Sequence, residues 1–134
     1  MKVFNNKHQL SNCVDKLKTN SQTIGFVPTM GALHKGHLSL VEKGLIENDI
    51  IVVSIFVNPT QFNNKEDLDR YPRTVNRDLA LLETVSKSKI IVYTPSVEDI
   101  YEGKVSSESF TFDGLEHEME GAFRPGHFDG VGTV

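Results

Sequence analysis

The residues of this chain best suited to chemistry gather in one short run, Pro28-Thr29-Met30-Gly31-Ala32-Leu33-His34-Lys35-Gly36-His37. His34 and His37 are three apart, so on a helical turn their imidazoles share one face. Gly31 and Gly36 allow a ligand to approach the backbone closely. An apolar run, Ile24-Gly25-Phe26-Val27, precedes this segment, and Leu38-Ser39-Leu40-Val41-Glu42-Lys43 follows it. A strand that turns through glycines into a helix N-terminus is a ready anion site, because free N–H groups and the helix dipole point at the turn. An imidazole there can donate to a phosphoryl oxygen as negative charge moves onto a leaving pyrophosphate. Such a transfer needs positioning and electrostatics rather than a covalent intermediate.

Other readings of the turn fit less well. Gly31 and Gly36 are spaced like the opening of a P-loop, but His37-Leu38 stands where Lys and then Ser or Thr are required. The G-x-G-x-x-G dinucleotide spacing is missing too. Zinc would need a third ligand and a supporting carboxylate, and the H-E-x-x-H pattern is absent. A single histidine would be read as a cap or a packing residue; two flanked by glycines after a strand are not. Gln61, in Asn58-Pro59-Thr60-Gln61, has an amide that both donates and accepts, which suits a small hydroxy acid. Asn58 reads as stabilising the turn before Pro59. Arg124, in Arg124-Pro125-Gly126-His127, is either an anion holder or a surface arginine, and Glu66, Asp67 and Asp69 read as exposed.

The elements that must position these groups follow from periodicity. Leu10, Val14 and Leu17 mark one face of a helix over Asn6–Lys18. Thr23–Val27 is β-branched and aromatic and reads as a central strand. His37–Asn48 carries the stripe of a helix packed on a sheet. Asp49–Val57 is continuously apolar, the pattern of a parallel strand covered on both faces, and Asn58-Pro59 ends it. Residues 63–72 are polar and read as a surface loop. Thr74 is placed to cap a helix with Val75, Leu79, Leu82 and Val85 on one face. Lys89–Thr94 is a further strand, and Ser96 caps a short turn through Ile100. Beyond it, Ser106–Asp113 reads as an exposed or edge strand. Alternating strands and helices predict right-handed crossovers and a parallel sheet. Ligands of such sheets bind beyond the carboxyl ends of the strands, so the histidine turn and Gln61 are expected on one rim.

The 134 residues are one domain's worth of chain, with 38% hydrophobic and 24% charged residues, as in an ordinary globular protein. A net charge of -4 argues against general nucleic-acid binding. No signal peptide is visible at the N-terminus, and the longest apolar run is far short of a membrane span. A lone cysteine, Cys13, excludes an intrachain disulfide and fits a reducing cytoplasm. Cys13 falls on the apolar face of the first helix and reads as a small buried hydrophobe. The chain stops at Gly130-Val131-Gly132-Thr133-Val134 without cap, charge or turn, which reads as a truncated element.

Four ordered blocks resemble the pantothenate synthetase (pantoate–β-alanine ligase) family: Val27 to Val41, Ser54 to Phe62, Asp69 to Thr74, and Glu120 to Phe128. The resemblance implies a Rossmann-like α/β fold of the HIGH-motif nucleotidyltransferase type, with His34-Lys35-Gly36-His37 as the motif and residues 1–134 as an N-terminal ATP- and pantoate-binding domain. It implies ATP-dependent activation of pantoate to pantoyl adenylate, attack by β-alanine, and release of AMP, with Mg²⁺ assisting. Met30, Gly31, Ala32, Leu33, His34, Lys35, Gly36 and His37 would contact ATP, with His37 as proton donor and His34 beside it. Gln61 would bind pantoate and β-alanine, and Val131 and Val134 would line the pantoate pocket. A cytoplasmic homodimer, without nucleic acid or membrane partners, is implied as well.

Lys35 departs from the family pattern, where an acidic residue is common. Family members run to about twice this length, more than one ordinary domain. Their later block with paired glutamines and their closing C-terminal domain have no counterpart here, so the chain alone is expected to be impaired or inactive. The alternatives are another HIGH-motif nucleotidylyltransferase and a non-catalytic binding or dimerisation module.

Overall fold

A computed structural model of the chain describes residues 1–102. Val131 and Val134, Arg124 and the strand expected at 106–113 lie outside the described residues. The chain divides into two compact units, one of residues 1–56 and 72–96, the other of residues 57–71 and 97–134.

The first unit is a parallel sheet with helices on both faces, the α/β class expected. Strands β1 (Lys2–Phe4), β2 (Ile24–Thr29), β3 (Ile50–Ile55) and β4 (Ile90–Tyr93) lie in the order β1-β4-β3-β2, all parallel. Helix α1 (Lys7–Thr19) follows β1, and α2 (Lys35–Glu47) connects β2 to β3. Helix α4 (Val75–Val85) precedes β4 in the chain and packs against α2.

Every residue of β3 and β4 is buried, as their unbroken apolar runs require. Side chains alternate between faces along a strand. Ile51, Val53 and Ile55 therefore join Val41, Leu82, Ile90 and Val92 in one core layer. Ile50, Val52 and Ile91 face the other way, against Leu10, Cys13, Val14 and Leu17 of α1. Cys13 is half-buried in that second layer, as its place on the stripe implied. Gly44 lets α2 ride low on the sheet: a Cβ there would stand 2.5 Å from Ile51 Cδ1.

Two expectations need correction, and one strand is an addition. Strand β2 is not central but closes one end of the four described strands, paired to β3 alone, and Phe26 is accordingly 62% exposed. Strand β1 was not anticipated, because three residues are too few to show a period. The polar stretch expected as a loop contains α3 (Lys65–Arg70), whose N-cap Asn64 accepts the Glu66 N–H and whose Glu66 and Arg70 form an ion pair. Its stabilising contacts are a cap and a charge pair, which leave no apolar stripe to read.

The second unit holds a 3-10 turn, Pro59–Gln61, together with α3 and α5 (Val97–Tyr101). Phe62 and Tyr71 meet edge-to-face there, with ring centroids 5.7 Å apart. Among the described residues, no helix is long and apolar enough to cross a membrane.

Candidate active site

The histidine turn leaves the carboxyl end of β2, where parallel sheets place their ligands. Thr29 fastens its start: its hydroxyl donates to the Ser54 carbonyl (2.8 Å) and accepts the Gly31 N–H (3.2 Å). Gly31 (φ 84°) and Ala32 (φ 50°) then follow in the left-handed region. Glycine adopts that region freely, whereas an alanine does so at a cost of about 1–2 kcal/mol. A side chain at Gly31 would also crowd Asp78 Oδ2 (3.1 Å) and Ile55 Cγ2 (3.2 Å).

The carboxylate that offsets this strain comes from α4. Asp78 is fully buried; its Oδ2 accepts the Ala32 N–H (3.1 Å) and its Oδ1 the Leu33 N–H (2.9 Å). Thr74 Oγ1 donates to the same carboxylate at 3.3 Å. Thr74 thus starts α4 as expected, but its hydroxyl turns to Asp78 instead of capping the helix. Arg77 Nη1 donates to the Leu33 carbonyl (3.1 Å), so neighbouring side chains on α4 hold both polar groups of one peptide residue. Leu33 itself is 1% exposed, its side chain in the core layer between the sheet, α2 and α4.

Contrary to the sequence reading, which set capping aside for this pair, the histidines cap α2 reciprocally. His34 is the N-cap residue, and its Nδ1 accepts the Gly36 N–H (3.0 Å). His37 Nδ1 accepts the His34 N–H (3.2 Å), and the ring centroids are 4.2 Å apart. A nitrogen that accepts an N–H bears no proton, so each neutral ring carries its hydrogen on Nε2. The pair therefore presents donors on the atoms opposite the backbone. This revises the anion site inferred from the strand–turn–helix pattern. The N–H groups of Gly31, Ala32, Leu33, His34 and Gly36 have partners within the chain. Around these five backbone groups, the outward donors are the imidazole Nε2–H groups.

Burial lowers the His37 pKa below 6.5, helped by the charge of His34 and opposed by Asp78. His37 is consequently neutral near pH 7. Because its folded pKa is depressed, the unfolded chain binds protons more readily in the window below 6.5. His37 therefore supports stability fully above pH 6.5, and this support fades as the pH falls towards its folded pKa. Urea unfolding of wild type and His37→Gln between pH 5 and 8 tests this, because glutamine has no proton to gain. Wild-type stability should fall more steeply on acidification; parallel profiles would contradict it.

Met30 is half-buried, and Lys35, Gly36 and His34 are exposed around the turn. The lysine that departs from the family pattern thus extends into solvent. Gln61 belongs to the second unit, where it is buried and its Oε1 accepts from Asn58 Nδ2 (2.9 Å). Asn58 Oδ1 accepts the Thr60 N–H (3.2 Å), the Thr60 hydroxyl (2.9 Å) and the Tyr101 hydroxyl. Asn58 thus orients the Gln61 amide besides stabilising its own turn. Arg77 and Asp78 were not singled out from the sequence, and Thr74 was singled out only as a helix cap. The available signal was an aspartate on the apolar side of the α4 stripe, one residue from Leu79.

The sequence profile of the family described as pantoate-beta-alanine ligase matches residues 2–134. Pantothenate synthetases from Flavobacterium psychrophilum and Christiangramia forsetii are 57% and 54% identical over the whole chain, which covers 47% of each. A crystal structure of pantoate-beta-alanine ligase from Francisella tularensis, complexed with beta-gamma ATP and beta-alanine, superposes with a TM-score of 0.88 at 41% identity. The match covers 99% of this chain and 50% of that one. Pantothenate synthetase from Thermus thermophilus gives a TM-score of 0.78 at 41% identity, covering 99% of this chain and 46% of that one. The chain spans about half the length of the curated relatives it matches.

Proposed function

The chain belongs to the pantoate–β-alanine ligase family, and from that membership we propose that it carries the ATP- and pantoate-binding part of an enzyme joining pantoate to β-alanine. In the first step, a pantoate carboxylate oxygen attacks the α-phosphorus of ATP and the bond to pyrophosphate breaks. In the second, the β-alanine amine attacks the acyl carbon of pantoyl adenylate and AMP leaves. The observation that carries this reading is the reciprocal cap. It leaves the Nε2–H of each imidazole as a donor at a helix N-terminus, where negative charge builds during pyrophosphate departure.

In this reading, residues Met30 to His37 bind ATP, His37 is the donor to the phosphoryl oxygens, and His34 supports it. Leu33 contributes as the buried anchor of that loop. Gln61, oriented by Asn58, holds pantoate and then β-alanine, and Val131 and Val134 line the pantoate pocket. Mg²⁺ would arrive with the nucleotide and be held chiefly by its phosphates, as is usual for this ion. The acid nearest the turn, Asp78, suits a metal poorly because both its oxygens already accept backbone N–H groups. When bound, the ion would neutralise phosphate charge. A homodimeric assembly and a cytoplasmic location complete the proposal.

Calorimetric titration of the chain with ATP and, separately, with pantoate tests it. Saturable binding of both is expected. ATP binding without pantoate binding would favour another HIGH-motif nucleotidylyltransferase. Binding of neither would make the chain a non-catalytic module.

A further inference from the structure

Asp78 does more than fill a gap in the core. A carboxylate without solvent contact is costly unless its oxygens are paired, and here both are paired with N–H groups of one loop. That loop belongs to another element, 46 residues away for Ala32 and 45 for Leu33. The bonds fall on the second of two left-handed residues, Ala32, and on Leu33, which directly precedes the N-cap histidine. Released from the carboxylate, Ala32 would relax towards ordinary backbone angles, and the direction from which His34 enters α2 would change.

We propose that Asp78 is the positioning residue of the histidine turn: its carboxylate holds Ala32 and Leu33 in their inward-facing form and so sets where the imidazole donors stand towards a nucleotide phosphate. Arg77 is its outer partner, with Nη1 on the Leu33 carbonyl and 4.0 Å from Asp78 Oδ1. The role rests on the ATP-binding reading above. It also has an electrostatic side. His34 and Asp78 are the charged or titratable neighbours that act on His37, and Asp78 favours its protonated form. Arg77 stands behind Asp78 on the same helix.

Asp78→Asn in the 134-residue chain tests the role, since an amide keeps one accepting oxygen and turns an NH₂ group on the second N–H. Hydrogen exchange at Ala32 or Leu33 should quicken by about tenfold or more. By NMR, the titration midpoint of His37 should move to lower pH. ATP affinity, read by calorimetry, should weaken roughly tenfold. A buried carboxylate that acted only through its charge would move the His37 midpoint but leave the exchange rates and ATP affinity at wild-type values. Wild-type values for both overturn the proposal, as does unchanged ATP affinity alone.

Should the Asn variant fail to fold, Arg77→Gln decides, because that side chain is 61% exposed and its loss leaves the core intact. Removing the outer half of the grip should weaken ATP binding roughly threefold to tenfold, and wild-type affinity would overturn the role. A wild-type chain that binds no ATP would refute the proposed function. The exchange rates at Ala32 and Leu33 would still decide the role of Asp78.

Discussion

Replacing His37 by alanine, in a full-length protein carrying this chain, is expected to slow pyrophosphate release by roughly 10²–10³-fold at saturating ATP and pantoate. The Nε2–H of His37 is directed away from the backbone because Nδ1 is committed to the His34 N–H. A donor so placed strengthens its bond as charge accumulates on the departing phosphate, so its loss is felt in the rate more than in ATP binding. Alanine also removes half of the reciprocal cap, at a cost of about 1 kcal/mol in helix stability. His37→Asn separates the two effects, since an amide oxygen can take the place of Nδ1 and restore the cap but offers no donor at the far position. The asparagine variant should regain stability and remain slow. Pyrophosphate release near the wild-type rate in either variant would refute the assignment.

Leu33→Ala is expected to destabilise the chain by about 2–5 kcal/mol, measured as a lowered urea midpoint. Its side chain is 1% exposed and packs with Val41, Leu82 and the inner residues of β3 and β4. Neighbours drawn from a sheet and two helices cannot all close on the space, so the cavity term persists. Truncation at this position also frees the loop from below, leaving Arg77 and Asp78 gripping a backbone that has lost its anchor. ATP affinity should fall with stability. Leu33→Met, nearly equal in volume, should cost less than about 1.5 kcal/mol and keep binding. A loss below about 1 kcal/mol for the alanine variant would mean that the turn is held without this side chain.

What could be read directly from the residues was whatever repeats along the chain. The unbroken run Ile50-Ile51-Val52-Val53 announced a strand covered on both faces, and β3 is one. The stripe on α1, the start of α4 near Thr74 and the end of β4 before Pro95 follow from period and breakers, with boundaries shifted by a residue or so. Place within the sheet was less legible. The β2 run is as apolar as a central strand, and nothing local records that, among the described strands, it pairs with β3 alone. The histidines were conspicuous by type and spacing, but the direction of the surrounding amides was not. Ala32 and Leu33 carry no mark of an acceptor 45 residues on. Only the fold brings α4 against the turn and reverses the expectation of free backbone donors.

That reversal bears on how the site can be altered. In loops that cradle phosphate with main-chain N–H groups, no substitution deletes a donor, because every residue except proline brings its own. Here the outward donors are side-chain atoms, whereas the N–H groups of Ala32 and Leu33 are bound to a buried carboxylate and those of His34 and Gly36 to the imidazoles themselves. Under the proposed function, donation to the triphosphate is therefore exposed to codon change, one atom at a time. Genetic drift at two positions could erase it, and a designer working at the same two could retune it for another oxyanion without rebuilding the loop.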